Sequence, residues 1–176
     1  VARLPSSVYL AFTVAFFAEM FGLPLTMYVF MGVFGYSEAY SIEFFLTQSL
    51  GQETAFMIHH WLFNISKIVM GIGIILVIYG WKQIYQGKGK LVTTGLYSYI
   101  RHPQYLGFFM ITLGMNIQWL TIIMLALWPI VVVLYYRLSK TEEKEAIERY
   151  GERYIKYKED VPGFIPRHLK PKQTTY

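Results

Sequence analysis

Three apolar runs in a chain of 176 residues restrict its fold more than any other feature. Val8 to Phe34 carries Glu19 as its only charge, Trp61 to Tyr85 carries Lys67 and Lys82, and Tyr105 to Tyr136 carries none. Each is long enough to cross a hydrocarbon core about 30 Å thick. The third is too long for one crossing, because its 32 residues would make a helix of roughly 48 Å at 1.5 Å per residue. Asn116 and Gln118 in "MNIQW", Met115 to Trp119, suit a tight helical turn and divide the run into helices over about 103–115 and 119–137. The expected fold is all-α: a polytopic membrane protein with about four transmembrane helices and a cytoplasmic C-terminal helical cap. Residues 1–176 then form a single membrane domain, with two transmembrane helices in 1–86 and a loop, a helical hairpin and the cap in 87–176. Composition agrees: 55% of residues are apolar, 18% aromatic and only 15% charged.

Lys and Arg are retained on the cytoplasmic side of short loops, so their positions give the orientation. Lys82, Lys88, Lys90 and Arg101 fall in one acid-free stretch, and from Arg137 onward ten basic residues face seven acidic ones. Gly35 to His60 has the opposite sign, with Glu38, Glu43 and Glu53 and no Lys or Arg, and reads as external, in part an interfacial helix. Both termini are then cytoplasmic. The net charge of +5 is explained by an anionic inner leaflet, so membrane lipids and not nucleic acid are the expected partners.

Absence of cysteine excludes disulfides, thiolate catalysis and zinc-thiolate sites. The first apolar run is too long for a cleaved leader and reads as a permanent helix. His59 and His60 are adjacent, so on a helix they point about 100° apart; a shared metal site is not expected, and both read as interfacial.

Chemistry concentrates in "GLYSYIRHPQYLG", Gly95 to Gly107, where the chain re-enters the membrane. Pro103 suits the first position of a helix, and the free amides that follow it, with Arg101 and His102 beside them, would attract a carboxylate or phosphate. The same residues, with Tyr97, Tyr99 and Tyr105, would also serve as interfacial anchors. A second cluster lies in "RLSKTEEKEAIERYGERYIKYKEDVPGFIPR", Arg137 to Arg167. There Glu145 has Arg149 one turn on, whereas Glu142 and Glu143 face Ala146 and Ile147 and lack a cationic partner at that spacing. Their alternative is an ordinary solvated helix face.

Together these residues resemble the integral-membrane methyltransferases that include isoprenylcysteine carboxyl methyltransferases and phospholipid N-methyltransferases. "GLYSYIRHPQYLG" is similar to the family's Gly-x-Tyr-x-x-x-Arg-His-Pro-x-Tyr-x-Gly signature, and "TEEKEAIERYGERYIKYKEDVPGFIP" to its paired-glutamate helix and proline-bounded tail. The resemblance covers about Lys88 to Arg167. It implies a site for S-adenosylmethionine in the cytoplasmic cap, formed by Tyr97, Tyr99, His102, Pro103, Tyr105, Glu142 and Glu143, with Arg101 and His102 as catalytic residues and no metal. It also implies a lipophilic or membrane-embedded methyl acceptor: a prenylcysteine carboxylate, a phospholipid amine, or a small hydrophobic thiol or amine.

In the first half, Glu19 is costly to bury in lipid, and Glu19 and Lys67 read either as a structural pair or as parts of the acceptor pocket. Phe164 and Ile165 in the tail read as a lid over the cofactor or as a membrane anchor. A non-catalytic scaffold subunit is the alternative function, and a haem-binding anchor a weaker one. Both a homo-oligomer and membership of a larger membrane complex stay open.

Overall fold

The computed structural model describes residues 32–33, 42–118 and 122–166. Apart from residues 32–33, the first apolar run, with Glu19, lies outside them. Among the described residues the secondary structure is helical throughout: α1 (Ile42–Leu50), α2 (Gln52–Gln86), a 3-10 turn (Gly95–Ser98), α3 (Pro103–Gln118), α4 (Ile122–Tyr150) and α5 (Glu152–Asp160).

Gly51 separates α1 from α2. Its φ of 84° is a left-handed value that glycine reaches without strain, while its N–H still closes α1 on Thr47 O at 3.1 Å. The second helix therefore starts at Gln52, well before the apolar run at Trp61, and its 35 residues span roughly 52 Å. It is the helix among those described that is long and apolar enough to cross a membrane. At the other end, the expected turn over Met115–Trp119 is displaced, since α3 runs on to Gln118. The reason is local: Asn116 Nδ2 donates to Thr112 O at 2.8 Å, so its amide supports the helix it was expected to end. Gly151, with φ 59°, turns the chain from α4 into α5.

Small residues bring α2 and α3 together. A Cβ on Gly73 would lie 2.6 Å from Gly107 O, one on Gly107 would lie 2.6 Å from Gly73 O, and one on Gly114 would lie 2.9 Å from Ser66 O. Ser66, Gly73 and Gly80 recur every seven residues on α2 and meet Gly114, Gly107 and Gln104 in antiparallel order. This is how helices associate in lipid, where close backbone packing replaces a hydrophobic driving force. Phe56, Trp61, Ile65, Ile68, Ile72, Ile75 and Ile78 are exposed on α2, as are Ile130, Val133 and Leu134 on α4, as suits contact with acyl chains. Toward the Pro103 end of α3, Tyr105, Phe108 and Tyr135 form a buried aromatic core with Val77.

The contact makes a sharp distinction between two glycines of one helix. Nothing lies within 4 Å of a Cβ at Gly71, so Gly71→Ala should leave stability unchanged or raise it by up to about 1 kcal/mol through helix propensity. Gly73→Ala should cost about 1–3 kcal/mol, because only backbone displacement relieves its clash. Thermal melts in detergent would check this, and equal midpoints for the two variants would refute the packing account.

Candidate functional site

Glu143 is buried on α4 and draws in four donors from three segments. Arg101 Nη2 lies 3.0 Å and His102 Nε2 3.2 Å from Oε1, while Lys158 Nζ of α5 lies 2.9 Å and Lys140 Nζ 3.2 Å from Oε2. The sequence offered no partner one turn ahead, and the partners come from elsewhere in the fold. Burial alone would raise the pKa of Glu143, but hydrogen bonds from His102 and Lys158, then the charges of Arg101 and Lys140, hold it well below the usual carboxylate range.

His102 sits where the extended pre-proline backbone enters α3. Its N–H donates to Gly163 O at 3.0 Å and that of Arg101 to Pro162 O at 2.9 Å, so the tail is stitched across this loop. Arg101 Nη1 also donates to Lys158 O at 3.1 Å. Burial lowers the imidazole pKa, and although the hydrogen bond and charge of Glu143 oppose this, the ring is favoured neutral. A neutral ring bonded to a carboxylate through Nε2 carries its hydrogen there. Nδ1 is left as an acceptor, 3.9 Å from Glu142 Oε2.

Beside this cluster opens a cavity of about 500 Å³, lined in part by Tyr97, Arg101, His102 and Glu142. The 3-10 turn delivers Tyr97: Gly95, at φ 63°, leaves room for the Gln83 amide, whose oxygen accepts from Leu96 N at 3.1 Å, and Tyr157 OH donates to Tyr97 O at 2.6 Å. Burial raises the Tyr97 and Tyr154 phenols above their usual range, so both stay neutral donors. Arg101 lines the cavity, while its Nε is buried with no hydrogen-bond partner.

The structure therefore brings together Tyr97, Arg101, His102 and Glu142 at the cavity and sets Glu143 behind them. Tyr99 is half-buried away from the lining; Pro103 and Tyr105 are buried in the helix packing and also do not line it. The start of α3 thus supports the site from within. Lys67 is exposed on α2 with its ammonium 4.1 Å over the Phe63 ring, while Glu19, its expected partner, lies outside the described residues. His59 stacks on Phe63 and His60 on Phe56, and from His60 to Gly80, which packs on Gln104, α2 rises about 30 Å. Imidazoles so far from His102 cannot share a haem iron with it.

Further lining residues were legible only in part. Glu142, Ala146, Arg149 and Tyr150 follow a helical stripe, continued by Tyr154 and Tyr157 after the bend at Gly151. Glu145 and Arg149 were expected to form a surface ion pair; both line the cavity, no ion pair joins them, and Arg149 lies 5.4 Å over the Tyr150 ring. The tail also departs from expectation. Phe164 does not line the cavity but packs against His102, Phe109 and Tyr136, and Ile165 is exposed.

These features define a class: an α-helical protein with a lipid-compatible helix pair and a polar, arginine- and histidine-lined cavity at one end. The chain belongs to the isoprenylcysteine carboxyl methyltransferase (ICMT) family, whose model matches residues 57–148, just over half of it. It is 35% identical over 77 residues to protein-S-isoprenylcysteine O-methyltransferase of Schizosaccharomyces pombe, covering 43% of this chain and 33% of that one. The namesake of Saccharomyces cerevisiae is 39% identical over 77 residues, 43% of this chain and 32% of that one. Methanethiol S-methyltransferase of Crocosphaera subtropica is 33% identical over 81 residues, 44% of this chain and 29% of that one. The matches thus span about a third or less of these relatives' length. No solved structure matches the chain significantly.

The titrations predict an acid-labile fold. The unfolded chain protonates His102 below about pH 6.5 and the folded chain resists, so stability falls as pH drops below that value. Glu143 acts in the same direction lower down: its stabilisation is present above about pH 4.3 and is lost as pH falls further. The melting temperature in detergent should decline from pH 7 to pH 5, and His102→Gln should flatten that decline. An unchanged slope in the variant would show that His102 is not the titrating group.

Proposed function

We propose that this chain is an integral-membrane methyltransferase that uses S-adenosylmethionine and acts on a lipophilic acceptor. In this reading the chain crosses the bilayer about four times, both termini are cytoplasmic, and the cavity opens at the inner face. The observation that carries it is the cavity itself, which unites half of each signature within a volume typical of small-molecule sites.

The donor set fits the cofactor. The guanidinium of Arg101 suits a carboxylate, the Glu142 carboxylate suits an ammonium, and the rings of Tyr97, Tyr150 and Tyr154 suit an adenine or a sulfonium. When bound, S-adenosylmethionine supplies an electrophilic methyl group on sulfur. The protein's part is to align and to exclude water, while His102 Nδ1 is an acceptor for any proton the nucleophile must lose. Glu143 touches none of this; it positions Arg101 and His102. Arg101, Lys140 and Lys158 outnumber the two carboxylates, so the cluster is positive, which favours a carboxylate or thiolate acceptor over a protonated amine.

Calorimetry with S-adenosylhomocysteine, the demethylated product, should give micromolar-range affinity. Glu142→Gln should weaken it by about 1–3 kcal/mol with the fold intact, as for loss of a charge-assisted contact. Glu143→Gln should instead lower the melting temperature, because it strips a buried cluster of its counter-charge. No heat with the unaltered protein would remove the methyltransferase reading; binding without methyl transfer to any component of native membranes would favour the scaffold subunit.

A further inference from the structure

We propose that Lys140 and Lys158 form a binding site for the phosphate of an anionic phospholipid, which bridges α4 and α5 outside the cavity. The inference rests on the membrane placement in the methyltransferase reading, and the lipid is a resident of the site and not the methyl acceptor.

Both lysines spend only part of their ammonium on the protein. Lys140 Nζ lies 3.2 Å and Lys158 Nζ 2.9 Å from the same Oε2 of buried Glu143, so two nitrogens from different helices stand close enough to share one phosphate group. An ammonium has three N–H donors, and these side chains are 41% and 39% exposed, which leaves donors for a ligand at the surface. Neither lysine lines the cavity. Charge also calls for an anion. Arg101, Lys140 and Lys158 surround the Glu143 carboxylate, and with His102 neutral even the nearby Glu142 leaves the group positive. Glu159 and Asp160 follow Lys158 in sequence, but at about 100° per residue they turn toward other faces of α5.

The level along α4 is that of lipid headgroups. Val133 is an exposed apolar residue, Tyr136 is the exposed aromatic that follows it, and Lys140 stands one turn further with its ammonium 5.3 Å over the Tyr136 ring. Exposed tyrosines mark the bilayer interface, so a lysine just beyond one meets phosphates and not acyl chains. A phospholipid brings its phosphate to this level because its acyl chains lie on the apolar face of α4, an attachment that free phosphate lacks. Once bound, the headgroup holds Lys158, and with it α5, against the carboxylate that positions Arg101 and His102.

Detergent-purified full chain would be titrated with dioctanoyl phosphatidylglycerol and the retained lipid counted by native mass spectrometry. Two double variants lose the same charge from the same two helices: Lys140→Gln with Lys158→Gln, and Lys144→Gln with Lys156→Gln, the latter pair being exposed lysines outside the cluster. The proposal requires the first to weaken retention about tenfold or more and the second by less than about twofold. Equal weakening would reduce the attraction to diffuse surface charge, displacement by millimolar inorganic phosphate would make this a free-anion site, and equally tight retention of phosphatidylcholine would remove the need for an anionic lipid; each result overturns the proposal. Should the first double variant not fold, Lys140→Gln alone, which leaves Arg101, His102 and Lys158 on Glu143, is set against Lys144→Gln alone; a loss confined to Lys140→Gln is expected, and equal losses overturn the proposal. Lipid retention needs no methyl transfer, so failure here leaves the methyltransferase reading standing, and calorimetry with S-adenosylhomocysteine tests that reading by itself.

Discussion

The carboxylate of Glu143 is the interaction on which the cavity end of this structure depends. Side chains from the loop before α3, from α4 itself and from α5 all end on its two oxygens, and no covalent or metal link joins those segments among the described residues. A buried carboxylate is unfavourable by itself, so the arrangement persists only while every donor is in place. That dependence makes the site cooperative. Moving α5 withdraws Lys158, unpairs part of Glu143 and loosens Arg101 and His102 together. The two residues that line the cavity, Arg101 and His102, are thus held through a third that does not face it.

The same carboxylate sets the electronic state of His102. An imidazole buried without it would be neutral with either nitrogen protonated; the Oε1 contact at 3.2 Å selects the hydrogen on Nε2 and turns the Nδ1 lone pair toward Glu142. Glu142 and Glu143 are neighbours in sequence with opposite duties, one facing the cavity and the other pinning its wall.

Residue types and spacing made the helical class, the helix start at Pro103 and the two polar clusters legible, because uncharged runs and an Arg-His-Pro turn have few other uses. What they could not give was pairing. Lys158 is fifteen positions from Glu143 and reaches it only because Gly151 turns α5 back beside α4. Helical spacing offers Glu143 only Lys140, one turn back, and does not show that Arg101, His102 and Lys158 join it. Asn116 was misjudged for a related reason: an amide that suits a turn also bonds back to Thr112 O, and neighbouring packing decides which. The tail proved harder still. Phe164 was visibly an apolar residue in need of cover, but which face it covers depends on the carbonyls of Pro162 and Gly163, and side-chain patterning says nothing of backbone partners.

The family match ends at residue 148, yet much of the site lies beyond it. Tyr150, Tyr154 and Tyr157 line the cavity, Lys158 completes the Glu143 cluster, and Phe164 backs His102. The matched part thus holds the loop, the hairpin and the paired glutamates, while the part that closes over them is contributed by α5 and the tail. The relatives named above act on acceptors as unlike as an isoprenylcysteine and methanethiol. A closing segment tied to the shared loop by two backbone hydrogen bonds can change its side chains without disturbing that loop, since main-chain carbonyls are present whatever the residue. Attachment through the backbone, and not through side chains, is what lets the residues of the tail vary while the loop it holds stays in place.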